Sequence, residues 1–321
     1  MKLLIGYDGS KCADDALDGL KYAGLPRKAE TTVLCVAEVA PPPPPSSYEL
    51  VDKCLEGQES EGIALGDWTA QTNHAARELA NQAATRLQLA FKEWSVQPEW
   101  RFGSPAAQII NKADEWLPDL IVVGSHGRSA IGRIILGSVS QRVLSDACTS
   151  VRIARGRIKR GGSPPRIVIA VDGSAGADRA VSTVAERNWP NGTEFLLLTV
   201  YDPIHATTIG GLIPTVGKVV DQYNEQERAS AERIVASCAK KFASKGFVLN
   251  TSVKSGDPRR VLCDEAARWA ADSIFLGARG LGRFDRLVLG SVSSAVAAHA
   301  HCSVEVVRPT GIPKTPRPLD E

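Results

Sequence analysis

Apolar residues fall into two alternating kinds of run along the chain. Short continuous runs occur at Leu3–Ile5, Thr32–Ala37, Leu120–Val123 and Val151–Ile153. They return at Ile167–Val171, Phe195–Val200, Ser273–Leu276 and Val304–Val307, with a weaker fifth pair at Pro98–Phe102 and Val248–Val253. These runs are too brief for helices. Their continuous apolarity predicts strands covered on both faces, as in a parallel sheet. Between them the spacing is helical: Ala76, Leu79, Ala80, Ala83, Leu87 and Phe91 form one stripe, and Ala231, Ile234, Val235, Cys238 and Phe242 form its counterpart. Gly103-Ser-Pro105 and Gly256-Asp-Pro258 place Ser104 and Asp257 as N-caps, each with proline at the first helical position. Strands alternating with helices predict right-handed βαβ crossovers and a doubly wound α/β fold, whose ligands sit at the carboxyl ends of the strands.

The two sets of elements are copies of each other. Lys2–Ser10 reads KLLIGYDGS and Arg166–Ser174 reads RIVIAVDGS; Gly124–Ser140 reads GSHGRSAIGRIILGSVS and Gly277–Ser293 reads GARGLGRFDRLVLGSVS. Gly103 and Gly256 each stand 21 residues before the first glycine of the longer motif, and Val36 and Val200 each lie 28 residues after Asp8 and Asp172. Only the stretch between the second strand and Gly103 differs, by 11 extra residues in the first copy. This is a tandem duplication. It divides the chain into a first domain at 1–156, a linker at 157–165, a second domain at 166–309 and a frayed tail at 310–321. The extra residues surround the run Pro41–Pro45, which is extended polyproline, and an exposed loop or lid is expected from there to about Thr69.

Composition narrows the function classes. A chain of 321 residues with a formal net charge of +2 gives no electrostatic reason to expect nucleic acid or a membrane surface as the main partner. No apolar run approaches the roughly 18 residues of a membrane span, and the start MKLLIGYDGS breaks at Gly6 and Asp8, as a strand entering a turn does. The seven cysteines are scattered without Cys-x-x-Cys spacing, which fits reduced core residues in a cytoplasmic protein.

The chemistry concentrates in the glycines. Strand four of each copy runs into Gly124-Ser-His-Gly127 or Gly277-Ala-Arg-Gly280, and nine residues later come Gly137-Ser138 or Gly290-Ser291. In a phosphate cradle the first glycine removes a Cβ from the path of a ribose or phosphate, and the second takes positive φ so that N–H groups turn inward. Gly137-Ser138 and Gly290-Ser291 then open a helix whose free N–H groups face the same anion. His126, Arg128, Arg133 and Arg142 add positive charge in the first copy, as do Arg279, Arg283 and Arg286 against Asp285 in the second. A lone pair of glycines after a strand is more often a plain turn. Two copies at identical spacing favour phosphate. Asp8 and Asp172, on the same edge, are either helix caps or ligand groups. His126 is a candidate phosphate donor or proton shuttle, but Arg279 stands at its place in the second copy and is no general base, so an electrostatic role suits both. His299 and His301 beside Cys302 read as helix-end residues rather than metal ligands. Trp116 and Trp269, equivalent between copies, read as packing under a helix.

Gly-x-x-Gly, nine residues, then Gly-Ser, with Asp-Gly-Ser after the first strand, resembles the universal stress protein family in its ATP-binding branch. The resemblance covers nearly the whole chain as two tandem domains. It implies a five-stranded parallel sheet of order 3-2-1-4-5 in each, and a nucleotide-binding role as a stress-response sensor or regulator. Carried over, Asp8 and Asp172 face the ribose or a metal-bound phosphate, and Val36 and Val200 meet the adenine edge. Val123 and Leu276 lie under the base, with Gly124, Gly127, Gly277 and Gly280 along ribose and phosphates. Gly137, Ser138, Val139, Gly290, Ser291 and Val292 close on the outer phosphates, with His126, Arg128 and Arg279 supplying charge. The implied cofactor is ATP, with Mg carried by its phosphates, and neither flavin nor NAD. Family members pair through the last strand, which implies an intramolecular pseudo-dimer here and leaves a further homodimer open. No Walker lysine motif is present, so the alternatives are a slow ATPase or self-phosphorylation at Ser138 or Ser291, and a structural partner-binding module. The sequence departs from the family at the first turn, Gly6-Tyr-Asp8 and Ala170-Val-Asp172, and at Arg279 in place of histidine.

Overall fold

The computed structural model describes residues 1–38, 65–127, 136–155, 163–205, 214–242, 246–280 and 289–309, and the side chains of residues 65–71 and 214 are outside the description. The Pro41–Pro45 run, most of the expected lid, residue 156 with linker residues 157–162, Arg128, Arg133, Arg283, Asp285, Arg286 and the tail from 310 fall outside the described residues.

In the first half, β1 (Lys2–Gly6), α1 (Lys11–Gly19), β2 (Glu30–Ala37), α2 (Leu65–Ala90), β3 (Ser95–Phe102), α3 (Pro105–Trp116), β4 (Leu120–Gly124), α4 (Ser138–Asp146) and β5 (Ser150–Ala154) follow in order. The second half repeats them as β6 (Arg166–Ala170), α5 (Ala175–Glu186), β7 (Glu194–Tyr201), α6 (Pro214–Ala239), β8 (Val248–Ser255), α7 (Pro258–Arg268), β9 (Ser273–Gly277), α8 (Ser291–His299) and β10 (Ser303–Val307). Helix α2 begins at Leu65, so the loop expected to reach Thr69 ends earlier.

All ten strands form one sheet of order β3-β2-β1-β4-β5-β10-β9-β6-β7-β8. Each half is therefore parallel with order 3-2-1-4-5, and the halves join where β5 meets β10 antiparallel. Alternation along the strands splits the core by face. Leu4, Ile121 and Val123 point to one side with Ile109 of α3 and Val143 of α4, while Leu3, Ile5, Leu120 and Val122 point to the other with Leu17 of α1 and Leu87 of α2. The first of these cores crosses the seam without interruption and takes in Ile274, Leu276, Val296 and Val304 of the second half. Trp116 and Trp269 lie against it, beneath Lys2 and Arg166 respectively, so both tryptophans do pack rather than stack on a ligand. Ser10 and Ser174 cap α1 and α5, each accepting from the N–H three residues on. Asp257 caps α7 through its carboxylate, whereas Ser104 occupies the N-cap of α3 without a side-chain bond.

Candidate functional site

Order 3-2-1-4-5 reverses between strands one and four, and the chain opens a crevice there at the carboxyl ends. In the second half the crevice is a pocket of about 500 Å³, within the usual range for small-molecule sites. Asp172, Val200, Leu276, Gly277, Arg279, Gly280, Gly290, Ser291 and Val292, all singled out from sequence, line it together. Sequence reasoning missed Ala170, Leu198, Pro258, Leu262, Leu289 and Ser293, which also line it, as do Val171 and Ala177. Most are apolar, so one flank suits a flat apolar group while Asp172, Arg279 and the helix start supply the polar end.

Each polar feature has a local cause. The Asp172 carboxylate accepts from the Ser174 N–H at 2.9 Å, and Asp8 accepts likewise from Ser10 at 2.9 Å. Neither aspartate is the helix cap; the serines are. The carboxylates instead sit in short turns before the helix, and their second oxygens face the second glycine of the neighbouring loop. A Cβ at Gly280 would lie 2.5 Å from Asp172 Oδ2, and one at Gly127 would lie 3.0 Å from Asp8 Oδ2. Ser174 Oγ also donates to the Arg279 carbonyl at 3.3 Å and Ser10 Oγ to that of His126 at 3.4 Å, tying strand-one turn to strand-four loop in both copies.

Three expectations about the glycines need correction. Gly124 and Gly277 do not make room for a ligand, since their missing Cβ atoms face backbone of α1 and α5: 3.1 Å from the Cys12 carbonyl carbon and 2.5 Å from that of Gly176. Gly127 and Gly280 do not take positive φ; what a Cβ would meet at each is the carboxylate oxygen of the neighbouring aspartate. Nor are the N–H groups of Gly137 and Gly290 free, because they donate to Ser125 O at 2.9 Å and Ala278 O at 2.8 Å. The donors left for an anion belong to the first turns of α4 and α8, where the N-cap glycines provide no side-chain cap.

Two serines missed from sequence fasten those helices. Ser140 Oγ donates to the Gly124 carbonyl at 2.6 Å, and Ser293 Oγ donates to that of Gly277 at 2.8 Å. Their signal was the last residue of Gly-Ser-Val-Ser, repeated in both copies. In the first copy Val36 and Val139 are partly buried against the core that holds Val123, and Ser138 is exposed at the helix start. His126 places Nδ1 3.0 Å from Ser125 Oγ, while its buried Nε2 has no hydrogen-bond partner among the described residues. Burial first, and the positive charge of Arg155 second, hold its pKa below the ordinary value.

The remaining candidates stay apart from this chemistry. His299 is exposed in the last turn of α8 and His301 is exposed beyond it; among the described residues no cluster of His, Cys, Asp or Glu is placed to hold a metal ion. Burial pushes the Cys302 thiol up to about 12 and the Cys263 thiol up to about 11. No helix among the described residues is long and apolar enough to cross a membrane.

Comparison with known proteins agrees with the duplicated architecture. Residues 1–155 and 165–308 each match the model of the universal stress protein family. Universal stress protein Rv2005c of Mycobacterium tuberculosis is 26% identical over 310 residues, covering 95% of this chain and 96% of its own length. The crystal structure of a universal stress protein from Archaeoglobus fulgidus covers 96% of both chains at 20% identity and a TM-score of 0.60, a likeness of fold. An Arabidopsis thaliana universal stress protein family protein, solved with AMP bound, is 26% identical over 46% of this chain and 93% of its own, with a TM-score of 0.32. Two domains repeated over nearly the full length make this chain a tandem member of the universal stress protein family.

Proposed function

We propose that the chain binds adenine nucleotide, with ATP as the ligand, at two sites, one in each of the units 1–156 and 166–309, and acts as a stress-response sensor or regulator. The pocket at the switch point of the second half carries this reading, because it joins an apolar flank to a carboxylate, an arginine and an uncapped helix start. Adenine lies between Val200 and Leu276, and the ribose lies near Asp172. The phosphates extend past Gly280 to the first turn of α8, whose N–H groups and positive dipole end favour anions. Mg accompanies the outer phosphates and offsets their charge. In the first half Asp8, Val36, Val123, Gly124, Gly127, Gly137, Ser138 and Val139 take the same parts, with His126 and Arg128 in place of Arg279. The protein works in the cytoplasm.

The exposed Ser291 hydroxyl at the pocket wall supports a second reading, slow transfer of the γ-phosphoryl group to that serine. In it, the serine oxygen bonds to phosphorus, ADP leaves and the hydroxyl proton passes to water.

The test counts nucleotide released on denaturing the purified chain, then titrates the emptied protein with ATP. About two equivalents are expected. Gly280→Val removes one and Gly127→Val together with it removes both, by pushing a side chain into the space beside the aspartates. ATP binding unchanged in the double variant refutes the assignment, and label retained on Ser291 establishes the second reading.

A further inference from the structure

The seam between the halves has a local two-fold axis that can be located by residue. In the β5–β10 ladder Val151 pairs with Val306, Arg152 with Glu305 and Ile153 with Val304. The copies are offset by 153 residues here, so Arg152 and Glu305 are equivalent positions that face each other. They lie on the axis, and their neighbours pair crosswise. The surrounding hydrogen bonds obey the same symmetry. The Arg155 N–H donates to Ser303 Oγ at 3.1 Å, and the Arg308 N–H donates to Ser150 Oγ at 3.1 Å. The Arg155 guanidinium donates to the Ala300 carbonyl at the end of α8, and that of Arg308 to the Leu144 carbonyl near the end of α4.

Within this symmetric frame the axis positions are deliberately unlike in charge. Glu305 is fully buried between two arginines: buried Arg152, at 3.4 Å, and partly buried Arg187, which pairs with both carboxylate oxygens. Arg152 is further held by Ser273 Oγ at 2.8 Å, and Arg187 stacks 4.9 Å from the Phe275 ring centre. Two domains of the first type, paired through this strand, would oppose Arg152 to Arg152. Two of the second type would oppose Glu305 to Glu305, but each glutamate would keep Arg187 of its own domain beside it. Unneutralised like charges meeting in a dry seam are strongly disfavoured, so charge rejects the first pair and leaves the second to be rejected by shape.

Shape repeats the message at a second place on the axis. Between the first strands and helices the offset is 164, which makes Ala23, Gly24 and Leu25 equivalent to Arg187, Asn188 and Trp189. These equivalents also meet: Arg187 donates to the Ala23 carbonyl at 2.8 Å, and the Asn188 N–H donates to that of Gly24 at 2.9 Å. Gly24 has φ +63°, and a Cβ there would lie 2.6 Å from the Trp189 ring. The first domain presents small residues where the second presents large ones.

We infer that the seam is a hetero-selective recognition surface: by charge at Arg152 and Glu305, and by shape at Gly24 and Trp189, it accepts one domain of each type and rejects two of the same type. The partner it fits is a domain of the opposite copy. The buried charges serve selectivity rather than net stability, since a buried ion cluster replaced by packed apolar groups is often neutral in stability.

Full-length variants test this. E305R places a third arginine in the buried cluster and is expected to lower Tm by roughly 10 °C. R152E/E305R restores an opposite-charge pair across the seam at 152 and 305 while leaving an arginine at 305 beside Arg187, and recovers part of that loss. The apolar variant R152M/R187M/E305L keeps Tm within about 3 °C. After unfolding and refolding at rising chain concentration, it gives higher-mass species by light scattering that the unmodified chain does not. If R152E/E305R is no more stable than E305R, or the apolar variant refolds to the unmodified mass distribution at every concentration, the inference is overturned. Should E305R yield no soluble protein, soluble R152E/E305R is itself the rescue, and insoluble R152E/E305R counts against the inference.

Discussion

Substituting Gly277 by alanine separates what the first glycine of the loop does from what a phosphate cradle would ask of it. The added methyl would sit 2.5 Å from the Gly176 carbonyl carbon and 2.8 Å from the Ala177 nitrogen. Both atoms are backbone in the first turn of α5, so no rotamer change relieves the clash. That turn is pinned as well, because the Ala177 N–H donates to Ser174 Oγ at 3.1 Å. The helix must move off β9, an overpacking cost of roughly 2–3 kcal/mol. At Gly124 the same methyl would lie 3.1 Å from the Cys12 carbonyl carbon and 3.2 Å from the Ala13 nitrogen, and a shift of a few tenths of an ångström relieves it. The cost there should stay below about 1 kcal/mol.

At about 2–4 °C per kcal/mol for domains of this size, G277A should lose roughly 5–10 °C in Tm and G124A about 2 °C. Differential scanning calorimetry of the full chain, with urea titration as a check, reads both. Gly280→Ala is the internal control. Its methyl meets a side-chain oxygen of Asp172, which can swing aside, so Tm should hold while nucleotide affinity falls. Equal losses at Gly124 and Gly277, or a neutral G277A, would refute strand–helix contact as the reason for these glycines.

Three further outcomes follow from the geometry. Ser140→Ala and Ser293→Ala each remove a hydroxyl bonded to the loop carbonyl of Gly124 or Gly277 and should each cost about 1–2 kcal/mol in urea unfolding; no change would show that water replaces the hydroxyl. Burial holds the His126 pKa below the unfolded value of about 6.5, so the folded form resists protonation. Its contribution is neutral above that value and becomes destabilising as pH falls through it, and H126N should flatten the fall in Tm between pH 7 and pH 5, about 6.5 being the turning point. Cys302, buried with its thiol pushed up to about 12, should resist a thiol-specific disulfide reagent at neutral pH in the folded chain. Rapid native labelling at Cys302 would contradict its burial.

Much of the fold was legible because its signals are repeated. Each buried strand run and each spacing appears twice, so a weak cue at one position is checked at the other. The residues of the second loop motif do line one pocket together, yet the structure gives individual glycines other reasons than those read from the sequence. A sequence shows that no Cβ is tolerated but not what the Cβ would strike. At Gly277 the obstacle is α5, and at Gly280 it is the Asp172 carboxylate; each is brought in by tertiary packing from a residue about 100 positions earlier. Pro258 and Leu262 stayed hidden for the same reason, since they reach the pocket from α7 across the sheet edge. Helix α3 ends at left-handed Leu117 and α7 runs into left-handed Ala270, where no glycine announced the stop.

Duplication also explains why the two copies agree at the loops and disagree on the axis. A residue away from a two-fold axis meets a different residue across it, so both copies can keep the same side chain and satisfy the same contact twice, as Ser150 and Ser303 do with Arg308 and Arg155. A residue on the axis meets its own equivalent. Two identical subunits must then place like against like, and a buried charge is excluded there unless it is neutralised from elsewhere. A single chain carrying both copies escapes that restriction. It can set Arg152 against Glu305 and Gly24 against Asn188, which no pair of identical domains can do. The divergence of axis positions thus follows from covalent linkage, and it commits the two halves to one continuous sheet and one shared core.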